Sequence, residues 1–248
     1  MNREVLLKYD VITVGEAAGV TLEKTPLLVD ERRNELNMIF QFDVVSIDRE
    51  GWRWKPWTWP KVKAIYTRFE KGLDVHCWNT VFLSNHDNPR VVSRFGEDSP
   101  RYRVRSAKAL ATMLLTLKGT PFIYQGDELG MTNYPFTKIE EFDDIQVKNA
   151  WKAEVLTNQA AITDYITNLR KTSRDHARTP MQWDDSPNGG FTTTAKGLVS
   201  GESELQRDQR QASVGRSNLD LWLFQKDNRV PEKNPCVDLR RLPGPRQG

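Results

Sequence analysis

Four apolar runs in this chain end on side chains that can carry a proton or a charge. "DVITVGE" (10–16) ends on Glu16, "LNMIFQFD" (36–43) on Asp43, and "NTVFLSNHD" (79–87) on His86 and Asp87, while "TPFIYQGDELG" (120–130) carries Gln125, Asp127 and Glu128. Each alone has an ordinary explanation as a helix N-cap or a solvated loop residue. Four consecutive runs closing this way weaken that explanation. Grouped carboxylates suit acid-assisted cleavage through a cationic transition state. A glycosidic bond, for instance, needs a proton donor for the leaving oxygen and a carboxylate that attacks or activates water. A third acid that holds sugar hydroxyls helps to pull the ring toward the transition state, and Glu16 and Asp87 are candidates for two of the three roles.

The elements that must position these groups are legible in the spacing. Short continuous apolar runs are the pattern of strands buried on both faces. Between them, "PKVKAIYTRFEKGL" (60–73) and "RYRVRSAKALATMLLTLK" (101–118) place apolar residues at helical spacing. Alternation of strand and helix predicts an α/β fold with a parallel sheet or barrel. In a parallel barrel the C-terminal ends of the strands share one mouth, so the polar residues closing each run would meet there. The segment "WRWKPWTWP" (52–60) holds four of the eight tryptophans. It is expected to pack as a wedge between strand and helix, with an aromatic sugar platform as the alternative.

Bulk properties exclude several classes. The 36 basic and 33 acidic residues leave a formal net charge of +3, too balanced to imply nucleic acid or an anionic membrane surface as a partner. No apolar run approaches the roughly 20 residues that span a bilayer, and "MNREVLLKYD" lacks the pattern of a signal peptide. Cys77 and Cys236 stand far apart with no ligand spacing, which predicts neither a zinc site nor a disulfide framework. The expectation is a cytoplasmic protein without metal or cofactor.

"ITVGEAAGV", "VFLSNHDNPRVVSRFG", "GTPFIYQGDELGMTN" and "SRDHARTPMQWD" occur in this order. Together they resemble successive signatures of the α-glucosidase and oligo-1,6-glucosidase branch of the α-amylase superfamily, glycoside hydrolase family 13. The resemblance runs from residue 1 to about 196. It implies part of a (β/α)8 TIM barrel, about strands 5 to 8, acting on an oligosaccharide substrate. By it, Glu16 would be the general acid and base and Asp87 the carboxylate that stabilises the transition state through sugar hydroxyls. His86 would bind the same sugar, and Arg174 would complete the pocket, with Arg178 close by as a competing assignment. Pro89 and Arg90 would shape the entrance or serve the structure.

The same resemblance marks two departures. The family's nucleophile, an aspartate in a motif of the form GFRxD, does not occur before Glu16, so the chain alone is expected to be inactive. Half a barrel leaves open strand edges and an unfilled interior, so it is also expected to be poorly soluble. From Gly197 to Gly248 the sequence loses periodicity and becomes rich in arginine and proline. It is expected to be an irregular or disordered tail, plausible as an out-of-frame translation because a one-base shift with synonymous codons yields family-like peptides. Residues 1–196 would then form the C-terminal half of the catalytic domain. Two other functions remain open: a sucrose isomerase or other transglycosylase of the superfamily, and a catalytically dead amylase-like partner module.

Overall fold

The computed structural model describes residues 2–184 and 186–193. The tail expected from Gly197 onward lies outside the described residues.

The chain runs from strand β1 (Val14–Glu16) through the short helix α1 (Pro26–Val29) to strand β2 (Met38–Phe40). A small hairpin, β3 (Arg49–Glu50) and β4 (Arg53–Trp54), precedes helix α2 (Trp59–Gly72) and strand β5 (Thr80–Val81). Helices α3 (Val91–Phe95) and α4 (Arg103–Thr116) lead to strand β6 (Thr120–Pro121). Helix α5 (Ile145–Ala150) continues into a π-helical turn, Trp151–Val155, before helix α6 (Ile162–Thr172).

β1 pairs in parallel with β2, and β5 in parallel with β6. Side chains fix the register of the first pair. Asn37 Oδ1 accepts the Thr13 N–H at 2.8 Å, and Thr13 Oγ1 accepts the Asn37 N–H at 3.0 Å. The two pairs are bridged where Thr80 Oγ1 donates to the Ile39 carbonyl at 2.9 Å. The predicted alternation is therefore present, with helices 59–72 and 103–116 close to their expected bounds.

The ladders are shorter than the apolar runs. Phe82, Leu83 and Ser84 are buried yet lie beyond the paired residues of β5. Side chains take over the backbone groups there. Tyr66 Oη donates to the Phe82 carbonyl at 3.1 Å, and Arg90 Nη1 to the Gln125 carbonyl at 2.7 Å. A buried carbonyl needs a donor, and nothing requires that donor to be another strand.

Helical spacing decides what packs on these strands. Val62, Tyr66 and Phe69 of α2 recur at i, i+4 and i+7, and Leu110 and Leu114 of α4 at i and i+4, each set on one face. All of them but Phe69 join Val44, Val81, Leu83, Val91, Val92 and Phe95 in one core. A second core gathers Tyr134, Phe136, Phe142, Val147, Val155, Tyr165 and Leu169 around α5 and α6. On the strands' other side Phe40 meets Phe82 and Phe122 edge to face, at ring-centroid separations of 5.1 and 4.6 Å.

The tryptophan segment packs largely as expected. Trp52 lies edge-on to Tyr165 and donates to Glu154, and Trp57 meets Phe95. Trp54 and Trp59 remain partly exposed, Trp54 with the Lys171 ammonium over its ring at 4.1 Å.

Candidate active site

The segment after β5 folds because its own side chains replace the lost ladder. Asn85 Oδ1 accepts the Asp87 N–H at 2.9 Å and the Asn88 side-chain amide at 2.5 Å, which turns the chain and presents His86 and Asp87 outward. Asn88 is buried and anchored from below. Its Oδ1 receives Arg49 Nη2 at 2.6 Å and Arg94 Nη1 at 3.0 Å. Arg94 is itself locked to Asp48 by Nε at 2.7 Å, and the two side chains are 1% and 3% exposed. Arg49 Nη2 also donates to the Asp87 carbonyl at 3.2 Å. Burial, aided by the neighbouring Arg94 charge, lowers the Arg49 guanidinium to about 10.

Two arginines converge on the Asp87 carboxylate. Oδ1 accepts Arg178 Nη2 at 2.7 Å and Arg174 Nη1 at 3.1 Å, while Oδ2 lies 3.7 Å from His86 Nε2. Arg178 Nε also donates to the His86 carbonyl at 3.1 Å. Both arginines come from one 3-10 turn, Arg174–Arg178, whose start is capped when Ser173 Oγ accepts the Asp175 N–H at 3.1 Å. On a 3-10 turn of three residues per turn, positions 174 and 178 point about 120° apart, so it is the reach of the two long side chains that brings both guanidiniums to Asp87. Arg174 and Arg178 thus each bind Asp87.

A buried carboxylate that the sequence did not disclose completes the cluster. Asp144 accepts Arg174 through Nε on Oδ2 and through Nη2 on Oδ1 at 2.6 Å, and Arg178 Nη1 stands 4.0 Å away. Burial pushes its pKa up, but the Arg174 hydrogen bonds, the Gln146 N–H and the charges of Arg174 and Arg178 together outweigh it and hold the carboxyl below the ordinary range. Bonding to Asp144 likewise raises Arg174. In the sequence, "FDDIQV" offered a signal for Asp144 only as an N-cap ahead of an apolar pattern.

The structure brings together Asp87, His86 and Arg174. Glu16 closes β1, exposed, and makes no ion pair or hydrogen bond with them among the described residues. Asp43, expected at the same mouth, instead pairs with Arg68 of α2 on the surface. Arg90 is 1% exposed and bonds the Gln125 and His176 carbonyls, which decides its role as structural. Asp127 faces inward, taking the Ser84 hydroxyl on Oδ2, with Oδ1 unpartnered. Burial pushes its carboxyl up to about 6, against the pull of Ser84 and of the Arg90 charge. His176, fully buried on the other side of Arg90, is driven by burial down to about 4. Among the described residues no group of three or more His, Cys, Asp or Glu could hold a metal ion, and no helix is long and apolar enough to cross a membrane.

Comparison with known proteins decides the family. The profile described as "Alpha amylase, catalytic domain" matches residues 1–238. The chain belongs to the α-amylase family. Within that family it is 48% identical over 240 residues to an oligo-1,6-glucosidase of Bacillus cereus, covering 96% of this chain and 43% of the relative. It is 49% identical over 195 residues to an oligo-1,6-glucosidase of Parageobacillus thermoglucosidasius, covering 77% and 34%. Among solved structures, the isomaltulose synthase PalI from Klebsiella sp. LX3 superposes with a TM-score of 0.86 at 44% identity, over 94% of this chain and 42% of that one. The isomaltulose synthase of Erwinia rhapontici NX5 gives 0.75 at 51%, over 77% and 35%. The chain thus spans between about a third and under a half of the length of these α-amylase-family relatives.

Proposed function

We propose that the chain carries the acid and the sugar-binding pocket of an α-glucosidase-type glycoside hydrolase acting on short α-linked gluco-oligosaccharides by a retaining route. The observation that carries this reading is the pairing of Asp87 with two guanidiniums at the end of an apolar strand, in a chain of this family. A carboxylate with one oxygen shared by two cations is a poor nucleophile. Its second oxygen, beside His86, suits a sugar hydroxyl and places negative charge near a developing oxocarbenium ion. Glu16, exposed at the end of β1 and free of any cation among the described residues, suits the proton donor for the leaving oxygen. His86 and Arg174 bind the sugar and hold its clamp.

In this reading β1, β2, β5 and β6 are about strands 5 to 8 of a (β/α)8 barrel occupying residues 1–196, and residues 197–248 are an out-of-frame tail. The family match continues to residue 238, past that boundary, so the tail is tested separately: a gene whose frame runs uninterrupted through codon 197 refutes it. The protein is read as cytoplasmic, with an oligosaccharide as substrate and neither nucleic acid nor membrane as partner.

The sequence contains no GFRxD motif, and without that nucleophile no covalent glycosyl-enzyme can form. The purified chain is therefore expected to bind methyl α-D-glucoside without hydrolysing maltose or isomaltose. Asp87→Ala should abolish the binding. Turnover by the chain alone overturns the expected inactivity, and unchanged binding by Asp87→Ala overturns the reading of the pocket. Isomaltulose synthases among the structural neighbours support a second reading, sucrose isomerisation, in which the same pocket holds the glucosyl unit. Relative affinity for sucrose against isomaltose separates the two.

A further inference from the structure

Asp144 does more than cap α5. Its side chain is 2% exposed, and its Oδ1 accepts the Gln146 N–H at 2.9 Å, which is the cap. The same carboxylate takes the Nε and Nη2 of Arg174 as a two-point fork. The contact is reciprocal. The Asp144 N–H donates to Asp175 Oδ1 at 3.1 Å and Oδ2 at 3.3 Å, and Ser173 Oγ donates to Asp175 Oδ2 at 3.0 Å. Each segment thus supplies the carboxylate that receives the other's donors.

The fork fixes the plane of the Arg174 guanidinium and leaves Nη1 as its outward donor. Nη1 reaches Asp87 Oδ1 at 3.1 Å. An unanchored arginine side chain loses rotamer freedom when a ligand fixes it, a cost that a preorganised site avoids at the moment of binding. Charge gives the same assignment. Asp144 and Asp87 together balance Arg174 and Arg178, so removing Asp144 leaves two cations facing one carboxylate. Arg174 would then be free to close on both Asp87 oxygens and occupy the one that faces His86.

We propose that Asp144 is a positioning residue for the Asp87 clamp, holding Arg174 on Oδ1 so that Oδ2 stays open to a glucosyl hydroxyl. This inference rests on the reading of Asp87 as a sugar-binding carboxylate. Asp144 itself touches no sugar.

The test uses the full 248-residue chain, with methyl α-D-glucoside binding followed by titration and the arginine Nε–H signals followed by nitrogen-15 NMR. Asp144→Ser keeps an N-cap oxygen but cannot reach the fork. It should leave the melting temperature within a few degrees, lose the slowly exchanging Arg174 Nε–H signal, and weaken binding about tenfold or more. Asp144→Asn keeps one acceptor without the charge and should fall between, about three- to tenfold weaker; it also serves if the serine variant does not fold. Unchanged affinity in both variants that fold, with binding lost in Asp87→Ala, overturns the inference alone. Unchanged binding in Asp87→Ala, or none in the unsubstituted chain, overturns the reading of the pocket and the inference with it.

Discussion

At the residue scale the site is a pair of charge clusters of different depth. The upper one, Asp87 with Arg174, Arg178 and Asp144, reaches solvent and can respond to a ligand. The lower one, Asp48 with Arg94 and Asn88, is sealed, and its worth lies in what happens when it is broken. A buried pair is weakly stabilising against an apolar replacement but strongly stabilising against loss of one partner, because the other charge is left uncompensated. Arg94→Ala should therefore cost about 3–5 kcal/mol in urea unfolding. Removing Arg94 also strips a donor from Asn88 Oδ1 and from the Val45 carbonyl. An Arg94→Ala chain that unfolds at the unsubstituted midpoint would mean that the pair is no anchor for the Asp87 turn.

At the scale of elements, the loop after β6 shows what backbone freedom positions. Gly126 has φ +94°, and a Cβ there would come within 2.7 Å of Arg90 Nη1 and 2.5 Å of Met131 Sδ. Met131 can move, but Arg90 is tied to the Gln125 and His176 carbonyls. Gly19 has φ +77° with open space around it, so it separates backbone strain from crowding. Gly19→Ala should cost about 1 kcal/mol, and Gly126→Ala about 1–3 kcal/mol more. Thermal unfolding of both reads the difference, and equal costs would show that Arg90 yields easily.

Elements also mark how far the sequence could be read. Helices α2 and α4 were legible because burial at helical spacing is written in the residues themselves. The strands were legible as apolar runs but not in length, since Tyr66 and Arg90 replace ladder bonds with side-chain bonds formed across 16 and 35 residues. The same reason hides part of the site. Asp87 and Arg174 could be found in motifs, whereas Asp144 becomes meaningful only when folding brings it to Arg174, 30 residues away. Asp43 misled in the opposite sense: it ends an apolar run like the others, but Arg68 on α2 draws it to the surface.

At the scale of the whole molecule, apolar surface is left uncovered. Val5, Leu7, Tyr9, Val11 and Ile12 are 48–67% exposed within one stretch leading into β1, whose other edge alone is paired among the described residues. An open strand edge beside apolar side chains is a template for association. The chain should self-associate with rising concentration in sedimentation velocity, and Val11→Lys with Ile12→Lys should shift it toward monomer; an unsubstituted chain monomeric at all concentrations would contradict this. Global unfolding also carries a signature of the two groups that flank Arg90. Between pH 4 and 6 folded Asp127 keeps a proton that the unfolded chain gives up, so on its account stability falls as pH rises through that window. Folded His176 lacks a proton that the unfolded chain binds between pH 4 and 6.5, so on its account stability rises with pH. Near pH 5 the two opposite slopes cancel, and unfolding hands a proton from one buried side chain to the other with little exchange with solvent. As far as these two groups go, the calorimetric heat should then be the same in acetate as in a buffer of large ionisation enthalpy. Asp127→Asn should add an uptake of about one proton and His176→Gln a release of about one, so that each single replacement makes the heat depend on the buffer.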